Sequence, residues 1–198
     1  MSTIQDTNRL SYFKDAVYAY AEIGKDAMSS LRGRVGFVLG AAIPLVSIPL
    51  LNRMVKAWNL PTYDPFANLN LGEKVLITPF VCVIGPIMEE KVFRQDLKDK
   101  MIGNIEKSYL DWGLSEVDAN FAARTTTIFY TSVIFGLVHF SNSLCFFCNP
   151  IYFLPQVIFA TVAGFVFGVA EDFGGLEFPI GLHIGNNTSA WAHYLLNH

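Results

Sequence analysis

Three short constellations in this sequence carry groups able to do acid–base chemistry. The first is Glu89-Glu90-Lys91-Val92-Phe93-Arg94, directly after an apolar run. On a helix, Glu90 and Arg94 stand four apart with the acid first, the favourable order for an ion pair. Glu89 points about 100° away and has no partner at that spacing. A carboxylate left unpaired in apolar surroundings is a candidate general base. The second is Phe135-Gly136-Leu137-Val138-His139, where ring and imidazole share a helix face. The third is His183-Ile184-Gly185-Asn186-Asn187, in which His183 and Asn187 offer one face an imidazole and an amide donor.

Each cluster alone has an ordinary reading: a charged helix end, a core histidine, interhelical hydrogen bonding. Together they place Glu89, His139 and His183 on three different helices, so interior-facing side chains can converge. A base for water and donors for an oxyanion would make a hydrolase. Two histidines and a carboxylate are also a legitimate zinc set, although no His-Glu-x-x-His motif is present. Intramembrane Glu and His residues build proton relays as well.

The elements that must hold these residues are apolar. Of 198 residues 52% are hydrophobic and only 16% charged, well under the usual quarter. Disorder is excluded, and an ordinary water-soluble domain is disfavoured. A net charge of −3 leaves no basic excess for phosphates, so no nucleic-acid partner is expected. Val35–Leu51 is free of charge, as is Val75–Met88, and Thr125–Ala170 runs 46 residues without one. At 1.5 Å per residue that last stretch is about 69 Å of helix, roughly two crossings of the bilayer. Its natural break is the turn-rich Ser141–Pro150 segment. With Phe178–His198 as a last run, the expectation is an all-α, polytopic integral membrane bundle of about five crossings.

Residues 1–34 read as an amphipathic N-terminal segment, with Leu10, Phe13, Val17, Tyr20, Met28 and Leu31 near helical spacing. Residues 35–198 read as the membrane-embedded domain, with 95–124 a charged, partly helical connection. No cleavable signal peptide is expected. An N-terminus in the cytoplasm puts eleven basic residues inside, among them Arg32, Arg34, Lys98, Lys107 and Arg124. It leaves three outside, Arg53, Lys56 and Lys74. The short N-terminus and lack of added domains point to a prokaryotic cell membrane.

Weaker signals are discounted. Cys145 and Cys148 have redox-pair spacing, but no second pair completes a zinc site. Gly164 and Gly168 mark close helix packing. The acceptor triplets at Asn186 and Asn187 lie in an apparent membrane helix.

The three motifs, in this order, resemble the CAAX-processing and bacteriocin-processing (CPBP) family of intramembrane proteases, which includes the Ras-converting CAAX endopeptidases. The resemblance rests on Glu89-Glu90 with Arg94, Phe135 with His139, and His183 with Asn187, supported by Phe93 and Gly136, and covers roughly residues 75–190. It implies a helical membrane endopeptidase needing no metal or other cofactor. Its substrate would be a membrane-associated or prenylated (CAAX-type) peptide. Carried over by position, Glu89 and His139 would activate water. His183 and Asn187 would bind the oxyanion, with Glu90 and Arg94 in support. The alternatives are a non-catalytic scaffold or immunity factor of the same fold, and a zinc-dependent membrane hydrolase.

Overall fold

A computed structural model describes residues 3–60, 64, 66–142 and 149–197, with side chains from residue 15 onward. Among them are six long helices and no strand: α1 (Thr3–Ser29), α2 (Leu31–Ala57), α3 (Leu71–Asp111), α4 (Glu116–Val138), α5 (Leu154–Gly174) and α6 (Glu177–Asn197). A 3-10 turn, Pro150–Phe153, leads into α5. Cys145 and Cys148 lie outside the described residues.

The helices start where local chemistry caps them. Ser30 accepts from the Gly33 amide at the head of α2. Asn70 and Glu73 form a reciprocal capping box on α3. Ser115 accepts from Asp118 N–H on α4. The 95–124 region, expected as a charged, partly helical connection, is the end of α3 and the start of α4 joined by the short turn 112–115, where Gly113 takes a positive φ.

Four helical segments are long and apolar enough to cross a membrane: Leu31–Ala57, Leu71–Asp111, Glu116–Val138 and Pro150–Gly174. Their apolar side chains face outward: Leu45, Leu76 and Phe121 are more than 70% exposed, while Glu90, Arg94 and His183 are buried. That inside-out distribution fits a bilayer as the solvent, and the chain is an integral membrane protein. α6 is the innermost helix, with Pro179–Asn186 all buried.

α6 lies parallel to α2 at backbone contact. A Cβ added to Gly181 would stand 2.0 Å from the Gly33 carbonyl oxygen, and one added to Gly185 would stand 2.1 Å from that of Phe37. Only hydrogen fits there. α3 and α5 run antiparallel to α6, and α4 packs on α5 through Gly164 and Gly168. α1 lays Ala27, Tyr20 and Ile23 on Ile87, Ile180 and Ile184, so it is held by the bundle. Leu31 belongs to α2 instead and is exposed.

One end of the bundle is tied by charge. Lys98 of α3 is buried and bonds Glu171 and Asp172 at the foot of α5, and Arg124 of α4 reaches Asp172 at 3.4 Å. Lys98, counted by sequence among the cytoplasmic basic residues, is thus buried and paired at its end of the bundle.

Candidate active site

α3 is not a uniform α-helix. Phe80–Ile84 and Lys91–Leu97 are π-helical, and they bracket the α-helical turn Gly85–Glu90 that carries both glutamates. Such widened turns recur at functional sites. In the second one, residues five apart align, and Lys91 Nζ meets Asp96 Oδ1 at 2.9 Å.

The two glutamates have different surroundings. Glu90 is fully buried, and its Oε2 accepts from Arg94 Nε at 3.2 Å. Its Oε1 faces His183 Nδ1 at 2.8 Å. The Glu89 side chain is 38% exposed, and its Oε2 has no hydrogen-bond partner among the described residues. His183 Nε2 lies 3.7 Å from it. His183 therefore lies between the two carboxylates, one ring nitrogen committed to Glu90 and the other turned toward Glu89.

Phe135 organises the rest. Its ring lies under the Arg94 guanidinium at 5.2 Å and edge-on to Phe93. It also contacts both imidazoles, His139 at 5.0 Å and His183 at 5.9 Å. His139 Nδ1 bonds the Phe135 carbonyl at 2.8 Å; since that oxygen only accepts, Nδ1 carries the hydrogen of this bond and Nε2 is the nitrogen left free of it.

Asn187 is held at both ends of its amide. Gly85 N–H bonds five residues back to the Phe80 carbonyl. The next carbonyl, that of Val81, would take its hydrogen from position 86, but Pro86 has none. Asn187 Nδ2 donates to it instead, at 3.0 Å, while Asn187 Oδ1 accepts from Asn186 Nδ2 at 3.0 Å.

These groups line one cavity of about 500 Å³. Glu89, His139, His183, Asn186 and Asn187 face it, whereas Glu90 and Arg94 lie behind the wall. Its apolar sides include Ile48, Leu51, Phe80 and Phe159, and Asn142 and Gln156 lie at the end opposite the Lys98 cluster. No three of His, Cys, Asp and Glu are grouped to hold a metal ion among the described residues.

Residues 71–189, more than half of the chain, match the family model described as type II CAAX prenyl endopeptidase Rce1-like. The chain belongs to that family. Comparisons with curated proteins and with solved structures find no match. Membership carries hydrolase chemistry, that of the CAAX-type intramembrane endopeptidases generally. The Rce1-like segment begins at the first residue of α3 and ends two residues past Asn187, so α1 and α2 fall outside it. α2 nonetheless supplies Ser47, Ile48 and Leu51 to the cavity wall.

Several features escape a reading of the Rce1-like motifs alone. The spacing pairs Glu90 with Arg94 but gives no sign that Glu90 also holds His183 across 93 residues. Phe167, 5.1 Å from the His183 ring, looks like any core aromatic in sequence. Asn186 had a usable signal: a second amide beside Asn187 in an otherwise apolar helix. Pro86 had one too, since a proline inside a helix always leaves one carbonyl without its donor.

Proposed function

We propose that this protein is an intramembrane endopeptidase that hydrolyses a peptide bond of a membrane-associated or prenylated peptide with water activated by Glu89. The observation that supports this most directly is the closure of Glu89, His139, His183 and Asn187 on one cavity, with Glu89 Oε2 free of hydrogen bonds among the described residues and His183 anchored from behind.

Water enters between Glu89 and His139. As its oxygen attacks the carbonyl carbon, its proton passes to Glu89, and the carbonyl π electrons move onto oxygen. Asn187 Nδ2 keeps one hydrogen for that oxyanion, the other being spent on Val81. His183 can add a second donor only from Nε2. Nδ1 is committed to Glu90, which Arg94 holds from its other oxygen, so Nε2 is the nitrogen left on the Glu89 side. Collapse reforms the carbonyl and breaks the C–N bond, and Glu89 returns the proton to the leaving amine. One water is consumed and the enzyme is unchanged.

In this reading the N-terminus and the Lys98 end are cytoplasmic, as the distribution of basic residues favours. The decisive experiment is cleavage of a peptide library, with and without prenyl groups, by purified protein and its Glu89→Ala variant. Cleavage by the first and not the second supports the assignment, and equal cleavage by both refutes it.

A further inference from the structure

Asn186 lies inside the third motif without a role assigned to it, yet it is 8% exposed, lines the cavity and is bonded to Asn187. Its amide is oriented by a chain of forced choices. The Val81 carbonyl only accepts, so it must face the Asn187 NH₂. Asn187 Oδ1 then faces Asn186 and must receive a hydrogen, which turns the Asn186 NH₂ toward it. Asn186 Oδ1 is left over. It has no hydrogen-bond partner among the described residues, and it is not among the polar atoms sealed from solvent. A residue so buried has the cavity as its outlet. The wall therefore presents an acceptor immediately beside a donor, the pattern that matches the C=O and N–H edges of an extended peptide.

We propose that Asn186 Oδ1 receives a backbone N–H of the substrate next to the scissile bond, while its NH₂ locks Asn187. Asn186 is in this sense a substrate-binding residue on one edge and a positioning residue on the other. A free acceptor in a desolvated site also selects against substrates that lack the hydrogen, because an unpaired polar atom is costly to bury. The selected substrate is an extended peptide backbone rather than an ester or an N-substituted residue at that position. The inference rests on the endopeptidase reading above.

The test is an amide-to-ester scan of a cleaved peptide at each bond except the scissile one, run with the purified full-length protein and two variants. At one position the ester should lower the wild-type kcat/KM about tenfold, as expected for one lost hydrogen bond. Asn186→Ala should show that loss already with the all-amide peptide, and no further loss with the ester. Asn186→Asp keeps the cavity-facing acceptor but has no N–H for Asn187. It should retain the ester penalty while kcat falls about tenfold, because the oxyanion donor is no longer locked. An identical ester profile in wild type and Asn186→Ala, or loss of the ester penalty in Asn186→Asp, overturns the inference alone. A wild-type protein that cleaves none of the peptides overturns the endopeptidase reading and this inference with it.

Discussion

His183 Nδ1 and Glu90 Oε1 meet at 2.8 Å although 93 residues separate them, and both side chains are buried. That bond ties α6 to α3 and fixes which imidazole nitrogen can reach the cavity. Arg94 completes the line from the opposite side of Glu90. The three residues act as one unit behind the wall, and the face they present to the cavity is the Nε2 edge of His183.

Breaking that unit should cost stability as well as activity. Arg94→Met leaves the fully buried Glu90 with His183 as its one remaining partner among the described residues and is expected to destabilise the protein by about 3 kcal/mol. Glu90→Gln combined with Arg94→Met removes both charges and should recover most of the thermal stability in detergent, but not turnover. A double variant as unstable as the single one would show that pairing is not what holds this region.

Glu89→Gln should behave differently. The amide cannot accept the proton of water, so turnover should fall by at least 10²-fold while substrate still binds. Glu89 is partly exposed and its Oε2 makes no hydrogen bond among the described residues, so melting temperature should barely change. Peptide binding followed by fluorescence anisotropy, beside a cleavage assay, separates the two effects.

Metal removal divides the glutamate mechanism from its zinc rival. Exhaustive chelation should leave cleavage intact. If it abolishes cleavage, and one equivalent of zinc restores it, the water is activated by metal rather than by Glu89.

The α2–α6 contact gives a paired prediction. Gly185→Ala drives a methyl to 2.1 Å from the Phe37 carbonyl oxygen, so α6 must move, and His183 and Asn187 move with it. Stability and kcat should both fall. Gly103→Ala, in the α-helical last part of α3 with nothing within 4 Å of its added methyl, should stabilise by about 0.5–1 kcal/mol without changing kcat.

Much of this arrangement is legible in the sequence because polar residues inside apolar runs have few reasons to be there. Glu89, His139, His183 and Asn187 stand out on that ground and do face one cavity. The Glu90–Arg94 pair follows from helical spacing. What escapes has no local signature. The π turns in α3 leave no mark except Pro86. The Glu90–His183 bond depends on how two helices rotate against each other. Lys98 reads as a loop charge because its partners, Glu171 and Asp172, arrive only through tertiary packing. Glycines at 36, 40, 181 and 185 have the same four-residue spacing as Gly164 and Gly168, yet they form the closer contact. Counting glycines cannot say which pair meets another backbone.

The charge belt at Lys98, Arg124, Glu171 and Asp172 pins three helices together at one end of the bundle. Along α3, Glu90 lies only eight residues from Lys98, whereas along α4 Val138, at the cavity wall, lies fourteen residues from Arg124, about 21 Å of helix. Any splay about the pinned end would displace that wall more than the Glu90–His183 bond. Room for segments of different girth and accuracy of chemistry would then be set at different heights of one bundle.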